Sequence, residues 1–135
     1  MKKMLMATTA AALLATNAYA DAHSKEVKLG VEFGFTGPIE SLTGPMAAGA
    51  EMAMKEVTDS GLLMGGAKVS SIRADSGCID NGLAVSGAER LISEGINGLI
   101  GADCSGVTGA VLQNVAIPNG MVMISPSPKS SRSAV

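Results

Sequence analysis

The chain has 135 residues, a formal charge of −2 and only three aromatic residues, two Phe and one Tyr. That length bounds the fold at one small domain. Its ten Lys and Arg residues are dispersed, leaving neither a basic stripe nor aromatic platforms for stacked bases, so nucleic-acid binding is set aside.

Residues 1–20 read as a cleavable secretory signal. Lys2 and Lys3 open it, a mainly apolar stretch runs from Met4 to Ala18, and Ala18-Tyr19-Ala20 is the small-x-small pattern that a signal peptidase accepts. Thr8, Thr9, Thr16 and Asn17 interrupt the stretch, which is short for about 30 Å of hydrocarbon. Export to the periplasm with cleavage after Ala20 is therefore expected, followed by a tail over 21–26 and a folded segment over 27–135. From Val27 to Phe35 apolar residues fall at every second position, the period of a strand, and Thr36-Gly37-Pro38 ends it. A helix is expected from Pro45 to Ser60, where the apolar positions Met46, Gly49, Ala50, Ala53 and Val57 recur at three and four, with Pro45 in its first turn and Gly61 closing it. Ala67–Arg73 reads as a second strand. Asp80 then caps a helix whose inner face is Ala84, Ala88, Leu91 and Ile92, closed by Gly95. Ile96–Ile100 is a third strand. A helix carrying Val107, Val111 and Val115 follows, Pro118-Asn119-Gly120 stops it, and Met121–Ser125 is a fourth strand.

This β-α-β-α-β-α-β order predicts an α/β fold: a parallel, Rossmann-like sheet with right-handed crossovers and helices on both faces. The expected strand order 2-1-3-4 puts a ligand outside the carboxyl ends of the strands, beside strand 1. Loops 36–44, 74–80, 101–106 and 125 onward gather at that edge. In an oxidising compartment Cys78 and Cys104 are expected to pair, closing a loop of about 26 residues that stabilises the fold by roughly 3 kcal/mol. Strands 2 and 3 flank strand 1 and stand about 9.5 Å apart, too far for a direct bridge, so their loops must lean over strand 1.

Other chemistry is thinly supported. His23 is the one histidine and lies in the tail, which leaves neither a metal set nor the base of a serine hydrolase. The glycine groups fit no dinucleotide or phosphate-cradling spacing, and no cofactor is expected. Asp75, Asp80 and Asp103 read as ordinary solvated caps. Met46, Met52, Met54, Met64, Met121 and Met123 read as fillers of a core poor in aromatics. Ser105 begins a helix, where its hydroxyl and the backbone N–H groups suit a carboxylate or simply cap the helix.

Taken in order, Thr36-Gly37-Pro38, Gly49-Ala50-Glu51, the acidic loop Asp75–Asp80 around Cys78, Glu94-Gly95-Ile96, Cys104-Ser105 and Ile124-Ser125-Pro126 resemble the leucine/isoleucine/valine-binding proteins. These are the periplasmic substrate-binding subunits of branched-chain amino-acid ABC transporters. The resemblance runs from residue 27 to about 128. It implies a two-lobed type I periplasmic binding protein, with 27–135 a partial N-terminal lobe and the chain a truncated form. It further implies no catalysis, an amino acid or amide as ligand, and an inner-membrane ABC permease as partner. The family's cysteine pair falls on Cys78 and Cys104, and its ligand contacts fall on Ser105, Ser127, Lys129 and, at or near, Leu42. Lys129 stands where a small or hydroxyl residue is common, and Leu42 where an aromatic is common; a lysine would favour a more acidic ligand. The rival readings are a sensor domain of the same fold, a secreted hydrolase with a Rossmann-like core, and a partial gene product without function.

Overall fold

The computed structural model describes residues 26–127. The signal-like segment 1–20, residues 21–25 of the expected tail, and Lys129 lie outside the described residues. Four parallel strands form one sheet: β1 (Glu26–Phe33), β2 (Lys68–Asp75), β3 (Gly98–Gly101) and β4 (Met123–Ile124). Their spatial order is β2-β1-β3-β4, the expected one. β1 pairs with β2 from Glu26↔Lys68 to Phe33↔Asp75, whereas β3 and β4 meet only at Leu99↔Met123 and Ile100↔Ile124.

The crossovers are α1 (Glu40–Ser60), α2 (Asn81–Ser93) and α3 (Ser105–Val111), the last running on through a π-helical turn, Leu112–Ala116. Alternation along β1 sorts the core. Val31 and Phe33 face α1 and pack with Ala47 and Met54. On the other face α2 and α3 bury Leu91, Ile96, Leu99, Val107, Val111 and Val115. Gly30 lets that layer close down, since a Cβ there would stand 2.9 Å from Leu91 and 3.0 Å from Leu99. A two-pronged Arg73–Glu51 pair, with both N···O distances 2.7 Å, ties α1 to β2.

α1 differs most from its expected form, since it begins at Glu40 and holds Pro45 inside. Ile39 at the N-cap makes no side-chain cap bond, so the local signals of a helix start are missing. The start is set from the sheet instead: Thr43, fully buried, shares its hydroxyl between the carbonyls of Gly34 (3.0 Å) and Glu40 (3.1 Å). The methionines also divide. Met54 is core, but Met52 and Met64 are 62% and 76% exposed, so the core-filler reading fails for these two.

Candidate functional site

β1 ends at Phe33, and the chain turns over the carboxyl edge of the sheet toward α1. Asp75, closing β2, takes hold of that turn: it accepts bonds from the Thr36 hydroxyl (2.6 Å), the Thr36 N–H (3.2 Å) and the Gly77 N–H (2.9 Å). Burial pushes the Asp75 carboxyl up, but these bonds outweigh it and hold the group below its ordinary range. Gly37 must be a glycine here, because its φ is +91° and a Cβ would stand 2.8 Å from the Gly77 carbonyl. Thr36-Gly37-Pro38 is thus a loop fastening.

Cys78 and Cys104 are joined, with their Cα atoms 5.2 Å apart. The loops do lean over strand 1: the Ser76 N–H donates to the Phe33 carbonyl (2.9 Å), and a Cβ on Gly34 would lie 3.1 Å from the Cys78 Cβ.

Asp103 is the hub, and here the sequence reading is corrected. Expected as a solvated cap, it is 4% exposed. Oδ2 accepts from the Gly34 N–H (2.7 Å) and Oδ1 from the Ser76 hydroxyl (3.2 Å), so one carboxylate joins the loops that follow β1, β2 and β3. The Asp103 carbonyl accepts from the Ser127 hydroxyl (2.6 Å), which brings in the segment after β4. Nothing in the sequence distinguishes Asp103, buried, from Asp75, half-buried, and Asp80, exposed. Asp80, by contrast, does cap α2, accepting from the Leu83 N–H at 2.9 Å.

Between the start of α1 and these loops lies an open cleft of about 520 Å³, lined by Ile39, Leu42, Met46, Asp103, Cys104, Ser105 and Ser127. Leu42, Ser105 and Ser127 therefore share one cleft. Ile39 and Met46 join them because α1 starts a turn and a half early. Leu42 is 60% exposed into it. Cys104, with no side-chain cap bond, occupies the N-cap of α3, and Ser105 is the first residue inside the helix. One edge of the cleft is aliphatic, the other presents hydroxyls and backbone, and no cationic side chain lines it among the described residues. No group of three metal-ligating side chains occurs among the described residues, and no described helix is long and apolar enough to cross a membrane.

Comparison with known proteins agrees with this geometry. The sequence profile of a family described as periplasmic binding protein matches residues 26–134. The Leu/Ile/Val-binding protein homolog 7 of Brucella melitensis is 38% identical over 114 residues, which are 84% of this chain and 27% of that protein. The branched-chain amino acid transporter substrate binding protein LivJ from Streptococcus pneumoniae, solved in complex with isoleucine, superposes with a TM-score of 0.70 at 24% identity. The match covers 78% of this chain and 30% of LivJ, and shows the shared fold. An ABC transporter substrate-binding protein from Desulfitobacterium hafniense in complex with Leu superposes with a TM-score of 0.65 at 27% identity, over 78% of this chain and 30% of that one. The chain thus spans about a third or less of the length of the relatives it matches.

Proposed function

Because the chain belongs to the periplasmic binding protein family, we propose that its cleft is one wall of a substrate-binding site. The ligand is a branched-chain amino acid or a related small polar molecule, passed on to an inner-membrane ABC permease. No covalent step is involved. The observation that carries this reading is the two-sided cleft. Ile39, Leu42 and Met46 offer an aliphatic edge, while Ser105, Ser127 and the start of α3 offer hydroxyls and backbone. An amino acid has the same division between side chain and head group. Ser127 already donates its proton to the Asp103 carbonyl, so toward a ligand it acts as an acceptor, for an ammonium group for instance. The signal-like segment 1–20 supports periplasmic delivery, and N-terminal sequencing of the exported protein should begin at Asp21.

An open cleft leaves most of a ligand in water, where each charged contact is weak. A second lobe closing over the cleft supplies the missing desolvation. Isothermal calorimetry with leucine, isoleucine and valine tests this on two proteins: the 135-residue chain, and the product of the reading frame followed past codon 135 to its relatives' length. The short chain should bind at best weakly and the long product firmly, with Ser105→Ala weakening the long product by about tenfold, the effect of losing one hydrogen bond. Micromolar binding by the short chain would overturn the one-wall reading. No binding of any amino acid by the long product would overturn the ligand class.

A further inference from the structure

Glu32 is the anomaly of the molecule. It lies in the middle of the sheet, on β1 between Ala74 of β2 and Gly101 of β3. Its side chain is fully buried, and neither carboxyl oxygen has a hydrogen-bond partner among the described residues. A charged carboxylate in such a place costs several kcal/mol. The space is nevertheless made for it. A Cβ on Gly87 of α2 would stand 2.8 Å from Oε1, so a glycine in mid-helix, unfavourable there by about 1 kcal/mol relative to alanine, leaves room for the carboxyl.

The groups that face Glu32 from its neighbours are few. Asp103, in the loop after β3, is the charge that most opposes its ionisation, and Asp75 at the end of β2 adds to that. Arg90 of α2 opposes them, but its guanidinium is engaged with the Arg73 carbonyl (2.7 Å) and with Glu94. α3 and β3 carry no titratable residue, and Glu89 of α2 is exposed.

We propose that Glu32 is a positioning residue of the ligand cleft: in its neutral form it adds no further charge beside Asp103 at the loop junction, and its ionisation loosens the loops that Asp103 holds. The physical reason is local. Asp103 can bind the Gly34 N–H and the Ser76 hydroxyl as a carboxylate while its neighbour is uncharged. A second negative charge beside Asp103 is relieved by moving the 101–105 loop outward, which weakens those two bonds. Cys104, Ser105 and, through the Asp103 carbonyl, Ser127 move with that loop. The proton is lost within reach of ordinary conditions, because burial first and the Asp103 charge second push the Glu32 carboxyl from its ordinary 4.5 up to about 8. Ligand binding then becomes proton-linked, weakening as pH rises.

The linkage to a ligand rests on the function proposed above, whereas the loosening of the loops does not, so two readouts are needed. The first uses the 135-residue chain alone: nitrogen-15 NMR of the Gly34 and Ser76 amides between pH 6 and 9.5. Both amides should shift with a common midpoint near 8 in the wild type. In Glu32→Gln, an uncharged mimic of the acid, that transition should vanish while the pH 6 spectrum is kept. The second is calorimetry of leucine binding by the long product over the same range. Affinity should fall by up to about tenfold per pH unit above the midpoint, the most that one linked proton permits, and should be flat in Glu32→Gln. Amides that do not titrate, or a transition that persists in Glu32→Gln, would overturn the proposal. Titrating amides together with no leucine binding at any pH would uphold the loop coupling and overturn the ligand. Should Glu32→Gln fail to fold, the wild-type titration decides alone, with a carbon-13 label on the Glu32 carboxyl to identify the titrating group.

Discussion

Asp103, in the loop after β3, and Glu32, on the central strand, are neighbouring acids with opposite environments. Asp103 receives two hydrogen bonds at 2.7 and 3.2 Å, and the Glu32 carboxyl receives none among the described residues. Asp103→Ala leaves the buried Gly34 N–H without its acceptor and is expected to cost about 2 kcal/mol or more in urea unfolding, with Asp103→Asn costing less because its amide oxygen still accepts. Glu32 sets the sign of a pH dependence. Its folded value of about 8 lies above the ordinary 4.5, so its contribution is fully present below pH 4.5 and is lost as pH rises toward 8. Unfolding free energy should therefore fall between pH 5 and 8.5 in the wild type and fall much less in Glu32→Gln. Asp75, held low by its hydrogen bonds, and Glu51, held low chiefly by the Arg73 guanidinium, run the other way. Their contributions are present at neutral pH and are lost on acidification, so stability should peak on the acid side of neutrality.

At the scale of elements, α2 shows how the sheet dictates a helix sequence. Ala84, Ala88 and Leu91 are buried as their spacing predicts, and Asp80 caps the helix as its residue type predicts. Gly87 agrees with no helical rule and is explained by what lies beneath it, since a Cβ there would stand 2.8 Å from Oε1 of Glu32 and 3.3 Å from the Ala74 Cβ. Gly87→Ala should destabilise the wild type, because its Cβ meets Oε1 at 2.8 Å, and should cost much less in a Glu32→Ala background, where only the 3.3 Å approach to the Ala74 Cβ remains tight. A double-mutant cycle by thermal or urea unfolding measures that difference. The loops behave as an element too. Cys78 holds a left-handed φ of +63°, rare for a side chain, and is braced by the bridge to Cys104 and by the Ser76 hydroxyl at 3.3 Å from its N–H. Reducing the bridge should cost about 3 kcal/mol on chain-entropy grounds, and the Gly34 amide should then report a freer 76–78 loop.

Over the whole molecule the two faces of the sheet are unequal. α2 and α3 cover one face with a continuous core, while α1 lies over β2 and β1 on the other. Among the described residues nothing covers the second face beyond α1, and Leu29, Ile100, Val122 and Ile124 line a shallow apolar groove over β3 and β4. Val122 and Ile124 are each 66% exposed. The 135-residue chain is accordingly expected to bind a hydrophobic fluorescent dye while folded. Ile124→Ser should reduce that signal and change stability by well under 1 kcal/mol, since so exposed a side chain contributes little burial.

Strand order, the inner faces of α2 and α3 and the α2 cap were legible because they follow from periods of two and of three to four residues and from local hydrogen-bond chemistry. These act within a few residues of themselves. α1, by contrast, buries Thr43, Ala47 and Met54 instead of the expected Met46, Gly49, Ala50, Ala53 and Val57. Its start was not legible, because Thr43 bonds to Gly34, nine residues back across a turn, and overrides the breakers Gly44 and Pro45. Glu32 was not, because alternation along Val27–Phe35 assigns it to a polar face, whereas a sheet covered on both sides has none. Of the cleft, the sequence alone marked Leu42, Ser105 and Ser127 through the family pattern. Only the tertiary structure added Ile39 and Met46, made Asp103 the junction of three loops, and set a buried, unbonded acid beside it, because each of these depends on contacts between segments distant in the chain.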